Sequence, residues 1–279
     1  MTDYYAVIGN PVAHSKSPLI HAAFARQTGE ALIYDTLYAE LDEFESVVQR
    51  FRDTAGCGLN VTVPFKHRAY AFAQRKSARA EQASAVNTLR FDQEGVFGDN
   101  TDGVGLVRDL TQNIGYAIDQ KRVLLMGAGG ASYGVCAALL AEHPAALVVV
   151  NRTFERANAL VERFRDLFPQ APLSASGYEA LEGRTFDLIV NATSAGLSGA
   201  MPVLASGVFG ENALAYDMTY AKASPFLSLA GGAGATCADG LGMLVEQAAE
   251  SFYVWRGVRP DTAPVIELLR REHGLPRAP

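Results

Sequence analysis

A chain of 279 residues, 49% hydrophobic and 19% charged, is neither disordered nor fibrous and is long enough for two domains, each with its own core. Its net charge of -6 comes with scattered Lys and Arg, so no basic stripe faces nucleic acid or an anionic membrane, and small anions have to be captured by local groups. The three cysteines, Cys57, Cys136 and Cys237, are odd in number and far apart without metal-ligand spacing, which predicts reduced, mostly buried packing residues and no metal site.

The N-terminal MTDYYAVIGN lacks a basic n-region and a long apolar h-region, and no apolar stretch approaches the roughly 20 residues that span a bilayer, so cytoplasmic residence is expected. The first third then alternates β-rich runs at 4–8, 31–37 and 58–63 with helical stretches at 18–28, 42–54 and 65–74, a β/α pattern. RVLLM at 122–126 runs into GAGGAS, a helix to about residue 142 and a second apolar run, ALVVV at 146–150, which is a βαβ unit. Further strands are expected at 186–191 and 214–218, and helices at 241–256 and 262–272 close the chain.

Gly127, Gly129 and Gly130 follow a strand and open a helix, so the backbone can turn tightly and bring free N–H groups and the helix dipole onto a pyrophosphate. Ser132 stands where a third Gly or Ala is usual. At the end of the second strand, where an NAD site places a carboxylate for the ribose hydroxyls, the chain has Asn151, Arg152, Thr153 and then Arg156. Nothing there repels a 2′-phosphate, and two guanidiniums four residues apart argue for NADP, with Arg156 alternatively a solvated helix residue near Glu155 or Glu162. NATSAG at 191–196 offers Asn191, Thr193 and Ser194 at a third strand end, as ligand contacts or as a plain Asx or Ser turn.

The expected architecture is therefore α/β with two domains. An N-terminal α/β domain spans 1–103 and is rejoined by returning C-terminal helices at 241–279, while 104–240 form a Rossmann-type, doubly wound NADP-binding domain.

GNPVAHSKSP at 9–18 leaves the hydroxyls of Ser15 and Ser17 and the helix-start N–H groups pointing one way; capping by Ser17 ahead of Pro18 explains one serine, but not Ser15. In NVTVPFK at 60–66 the period of two sets Asn60 and Thr62 on one face, where they need partners or a ligand, and Lys66 follows. SAVNT at 84–88 adds Asn87 and DNTDG at 99–103 adds Asp102; this mixture of Lys, Asp, Asn, Thr and Ser suits a polyhydroxylated carboxylate. His14 is expected to hydrogen-bond within its turn.

These strings, together with NRT, YDMTY at 216–220 and DGLGMLVEQ at 239–247, come in the order found in shikimate dehydrogenases, and the chain resembles that family over nearly its whole length. The resemblance implies an NADP-dependent oxidoreductase that reduces 3-dehydroshikimate to shikimate in the chorismate route to aromatic amino acids, as a monomer or homodimer without nucleic-acid or membrane partners. It implies that the first domain binds substrate, with Ser15 and Ser17 on the carboxylate and Asn60, Thr62, Asn87, Asp102, Tyr220 and Gln247 on the ring hydroxyls or neighbouring groups. Lys66 and Asp102 would be the catalytic pair, Gly127, Ala128, Gly129, Gly130 and Ala131 the diphosphate cradle, and Asn151, Arg152, Thr153 and Arg156 the 2′-phosphate site. Met218 and Gly240 would line the nicotinamide, beside Thr193 and Ser194 at the cofactor edge. The sequence departs from the family at Ser84, where Gly is usual, and at Ala78, where an acidic residue often precedes Arg79.

The residues leave three rivals: a quinate or dual dehydrogenase preferring NAD, an idle NADP-binding sensor, and a methylene-tetrahydrofolate-type dehydrogenase. The strand end without a carboxylate weighs against the first, Lys66 with Asp102 against the second, and the paired serines against the third.

Overall fold

The computed structural model describes residues 2–193, 204–220 and 224–274. Two six-stranded sheets follow one another along the chain. The first is built from β1 (Asp3–Gly9), β2 (Leu32–Tyr38), β3 (Gly56–Val61), β4 (Arg75–Lys76), β5 (Thr88–Asp92) and β6 (Gly95–Asp99), interleaved with α1 (Ser17–Thr28), α2 (Phe44–Asp53), α3 (Lys66–Phe72) and α4 (Ala78–Ala83). Its order is β2-β1-β3-β5-β6-β4, parallel among the first three strands and antiparallel through the β5–β6 hairpin.

The second sheet comprises β7 (Arg122–Met126), β8 (Ala146–Val150), β9 (Leu173–Ser176), β10 (Phe186–Asn191), β11 (Phe209–Asp217) and β12 (Thr236–Asp239). It is wholly parallel in the order β12-β11-β10-β7-β8-β9, a doubly wound sheet whose direction reverses between β7 and β10. The continuous apolar runs follow from burial on both faces. Val123, Leu125, Leu147 and Val149 enter a core with α5 (Asp102–Arg108), α6 (Gly130–Ala141) and α7 (Phe154–Leu167), while Leu124, Met126, Val148 and Val150 enter another with α8 (Pro225–Gly232). Each fully buried Val or Leu contributes about 1.5–3 kcal/mol.

The last two helices, α9 (Leu241–Arg256) and α10 (Ala263–His273), leave the second sheet and pack on α1. Ile20 and Phe24 of α1 share a core with Leu241, Val245, Phe252 and Leu269. α9 also runs against α5, and a Cβ on Gly105 would stand 2.7 Å from that of Gln247, so only glycine allows the two helices this close. Both connections between the sheets thus pack together. No helix among the described residues is long and apolar enough to cross a membrane, and all three cysteines are free, Cys136 buried and the other two half-buried.

The structure shifts some elements. β3 runs two residues earlier than the 58–63 run, because Pro64 cannot donate to a ladder and the chain leaves the sheet after Val61. The helix expected at 65–74 stops at Phe72, and a short β4 follows. α4 and β4 are too short for periodicity to reveal. Ser84 closes α4 with φ +47°, the left-handed conformation that its non-glycine side chain disfavours. Ser84→Gly is expected to raise stability by about 0.5–1 kcal/mol, read as a higher urea midpoint at unchanged slope.

Candidate active site

Loops from both sheets enclose a cavity of about 490 Å³. On the first sheet, the chain after β1 lies beside the chain after β3, with Thr62 N–H donating to Ile8 O (3.0 Å) and Asn10 N–H to Val63 O (3.1 Å). Ser15 and Ser17 sit at this turn with their hydroxyl oxygens 3.2 Å apart. Ser17 is not the N-cap of α1. Lys16 occupies that position without a side-chain bond, and Ser15 Oγ accepts the Ser17 N–H (3.3 Å), so the capping contact belongs to the serine that lay outside the helix reading. His14 makes no hydrogen bond within the turn among the described residues; it is exposed and lines the cavity, correcting the expectation for it.

Asn60, nearly buried on β3, is held on every side. Its Oδ1 accepts from Tyr34 Oη (2.7 Å), and its Nδ2 faces Asn87 O, Thr88 Oγ1 and Ser251 Oγ at 3.0–3.2 Å. Burial of this amide is offset by these bonds, which fix its orientation. Thr62 lines the cavity beside it.

Lys66 opens α3 and reaches Asp102, the first residue of α5, with Nζ 2.6 Å from Oδ2. The carboxylate is buried and the ammonium about one-fifth exposed, so the pair presents its lysine end to the cavity. Asn87 Nδ2 donates to Asp102 Oδ1 (2.9 Å) and lies within reach of Thr101 Oγ1 and Gln247 Oε1, while Asn87 Oδ1 accepts the Thr101 N–H. Asp102 is thereby fixed from two sides. Gln247 on α9 brings the C-terminal helix to the same point.

The opposite wall comes from the second sheet. Ala131, Ala192, Thr193, Met218, Thr219, Tyr220 and Gly240 line it. Asn191 Oδ1 accepts from Thr193 N–H (3.1 Å) and Oγ1–H (2.7 Å), the Asx turn that was the plainer alternative for NATSAG, yet Thr193 still faces the cavity. Ser194 lies outside the described residues. Burial pushes the Tyr220 hydroxyl above its usual range, so it stays protonated and able to donate.

Gly127, Ala128, Gly129, Gly130, Asn151, Arg152, Thr153 and Arg156 do not line this cavity. They continue its edge along the carboxyl ends of β7 and β8, where Gly127 N–H donates to Val150 O (2.8 Å). Gly127 has φ +101°, open only to glycine, and Ser132 Oγ donates to its carbonyl (2.8 Å), so serine at the third position ties the turn rather than opening it. A Cβ on Gly129 would meet nothing within 4 Å and one on Gly130 only His67 Nε2, which leaves room for a diphosphate against the N–H groups at the start of α6. Asn151 bonds Thr153 O (2.8 Å); Arg152 and Arg156 are exposed and join no ion pair among the described residues, and Glu162 pairs with Arg165 instead. The residues present fit NADP.

Sequence reasoning missed Thr219, Met243 and Leu244 in the cavity wall, and the supporting Tyr34 and Ser251. The helical spacing from Gly240 through Met243 and Leu244 to Gln247 was the available signal for two of them.

Comparison with known proteins agrees with this geometry. Residues 7–89 match a model of the shikimate dehydrogenase substrate-binding domain, 109–198 a shikimate/quinate 5-dehydrogenase model, and 240–270 a shikimate 5′-dehydrogenase C-terminal domain. The chain is 57% identical over 272 residues to a shikimate dehydrogenase (NADP(+)) of Dechloromonas aromatica, covering 97% of this chain and 98% of that one, and 55% identical over 272 residues to its counterpart in Aromatoleum aromaticum, covering the same shares. Among solved structures, an Ael1 enzyme from Pseudomonas putida superposes with TM-score 0.91 at 48% identity, covering 96% of this chain and 98% of that one. A shikimate 5-dehydrogenase from Thermus thermophilus, in complex with NADP(H) and shikimate, gives 0.86 at 34% identity, covering 97% of this chain and 99% of that one. With relatives more than half identical along nearly their full length, and with the Lys–Asp pair and the glycine turn facing one cleft, the chain belongs to the shikimate dehydrogenase family.

Proposed function

We propose that this chain reversibly reduces 3-dehydroshikimate to shikimate with NADPH, in the chorismate route to aromatic amino acids. The observation that carries the reading is the 2.6 Å Lys66–Asp102 contact at a cavity whose near wall holds two serine hydroxyls and whose far edge continues into a glycine turn without a strand-end carboxylate. In this reading residues 1–103 with 241–279 form the substrate domain and 104–240 the cofactor domain.

Bound NADPH supplies the hydride. As the ketone is reduced its oxygen gains negative charge, which the Lys66 ammonium stabilises and neutralises by giving up a proton; Asp102 orients the ammonium, and Asn87 holds Asp102. In the oxidative direction neutral Lys66 takes the hydroxyl proton. Ser15 and Ser17 hold the substrate carboxylate, and Asn60, Thr62, Asn87, Tyr220 and Gln247 hold or align the ring hydroxyls. Gly127, Ala128, Gly129, Gly130 and Ala131 cradle the diphosphate with Thr193 nearby, Asn151, Arg152, Thr153 and Arg156 take the 2′-phosphate, and Met218 and Gly240 border the nicotinamide.

Two exposed guanidiniums beside Asn151, which join no ion pair among the described residues, favour NADP over NAD. The double variant Arg152→Ala/Arg156→Ala is expected to raise the KM for NADP by about tenfold or more, with the KM for NAD changed by less than about twofold. Initial rates for shikimate and quinate, each with NADP and NAD, test the whole reading. The highest kcat/KM is expected for shikimate with NADP; a preference for quinate or NAD overturns the substrate or cofactor assignment, and no turnover in any combination leaves an idle binding module.

A further inference from the structure

Among the described residues, His67 is the side chain that comes within 4 Å of a Cβ position on the two open glycines of the turn, although it belongs to the first sheet's half of the cleft. It follows Lys66 on α3, and its imidazole reaches across the cleft toward Gly130. Nε2 stands 3.6 Å from where a Cβ on Gly130 would be, next to the backbone that opens α6. Nδ1 lies 2.9 Å from Ser84 O. A carbonyl only accepts, so Nδ1 carries the hydrogen, and Nε2 has a lone pair when the ring is neutral and an N–H only when it is an imidazolium.

The anchor of that ring is itself tied across the cleft. Arg163 of α7 donates from Nη2 to Glu81 O (2.8 Å) and from Nε to Gln82 O (3.3 Å), at the end of α4 that Ser84 closes. The imidazole is thus held against the glycine turn by a loop that the second sheet's own helix fastens. Of the charged and titratable groups along α3 and at its anchoring loop, Lys66 is engaged with Asp102, Tyr70 donates to Glu81 at 2.5 Å, and Arg163 holds the Glu81 carbonyl. None of these occupies the Nε2 direction over Gly130.

We propose that His67 completes the diphosphate site from the opposite wall of the cleft, donating from Nε2 as an imidazolium, so that NADP binding is coupled to proton uptake at this ring. The inference rests on the NADP reading above. Helix-start N–H groups supply neutral donors, and a protonated His67 adds a formal positive charge beside them. Cofactor affinity then rises as pH falls and the ring becomes charged.

The test is direct binding to the full chain, by calorimetry, of NADP and of adenosine 2′-phosphate, which carries the 2′-phosphate without the diphosphate, at pH 6.0 and pH 8.5. His67→Asn keeps an N–H where Nδ1 bonds Ser84 and removes Nε2; His67→Gln keeps an uncharged donor near Nε2. For His67→Asn the Kd of NADP is expected to rise about tenfold at pH 6.0 and less than about threefold at pH 8.5, with adenosine 2′-phosphate unchanged. His67→Gln is expected to lose less affinity and to show a flattened pH dependence, and the proton uptake seen in the wild type, measured in buffers of different ionisation enthalpy, disappears in both. An unchanged NADP Kd in His67→Asn, or an equal loss for both ligands, overturns the inference and leaves His67 as a brace for the Ser84 loop. Failure of the wild-type chain to bind NADP defeats the underlying cofactor reading instead.

Discussion

Lys66→Ala is expected to lower kcat by about 10²-fold or more while KM changes far less, because a general acid–base group acts on the transition state rather than on ground-state binding. The geometry explains the asymmetry. The serine hydroxyls and the amides of Asn60 and Asn87 that would hold the substrate do not depend on Nζ for their positions, since Asn60 is fixed by Tyr34, Thr88 and Ser251 and Asn87 by Thr101. Removing Nζ therefore leaves the pocket built but takes away the proton donor 2.6 Å from Asp102. Asp102→Asn keeps a side chain for Asn87 to bond and should retain more turnover than Lys66→Ala, because it misaligns the donor without deleting it. Initial rates followed by nicotinamide absorbance decide this, and near-normal turnover in Lys66→Ala removes the residue from the chemistry.

Glu250→Ala is expected to cost about 3 kcal/mol, the scale for removing one partner of a buried ion network. Glu250 on α9 is 6% exposed and meets Arg79 (2.9 Å), Arg108 (2.7 Å) and Arg259 (2.6 Å). Arg79 is also bidentate on Asp99, so the network joins α4, β6, α5 and α9, including both helices that connect the two sheets. Burial by itself raises the Glu250 carboxyl, but the surrounding guanidiniums outweigh it and hold the group at about 2 against an ordinary 4.5. A depressed carboxylate adds stability that is complete above about pH 4.5 and is lost as pH falls toward about 2. In the variant the thermal midpoint at pH 7 should fall by about 5–10 °C, and the part of the acid-induced loss due to this group should vanish. Unfolding by heat at pH 7 and pH 3 checks both, and an unchanged midpoint with an unchanged acid limb refutes the role.

The serine turn shows where local reading reaches its limit. Two hydroxyls and a proline at a helix start were visible in GNPVAHSKSP, but which serine takes the backbone N–H depends on where the chain enters α1, and the structure gives it to Ser15. His14 likewise was expected to bond within its turn, yet it stands exposed and lines the cavity. The Asx turn at Asn191 was legible because all its atoms lie within three residues.

By itself the sequence determined what depends on short range: the strand–glycine turn–helix at 122–141, the two-faced apolar runs of β7 and β8, the missing carboxylate at Asn151, and the residue types that a polyhydroxylated acid requires. These follow from backbone freedom, side-chain period and charge, which neighbouring residues settle among themselves. Only the tertiary structure decided which distant groups meet. Asn60 finds Ser251 across 191 residues, Arg79 finds Glu250 across 171, and His67 comes to face Gly130. Period tells which face a side chain takes but not what packs against it, and the partners are chosen when α9 returns to the first sheet and the two halves close on one cleft.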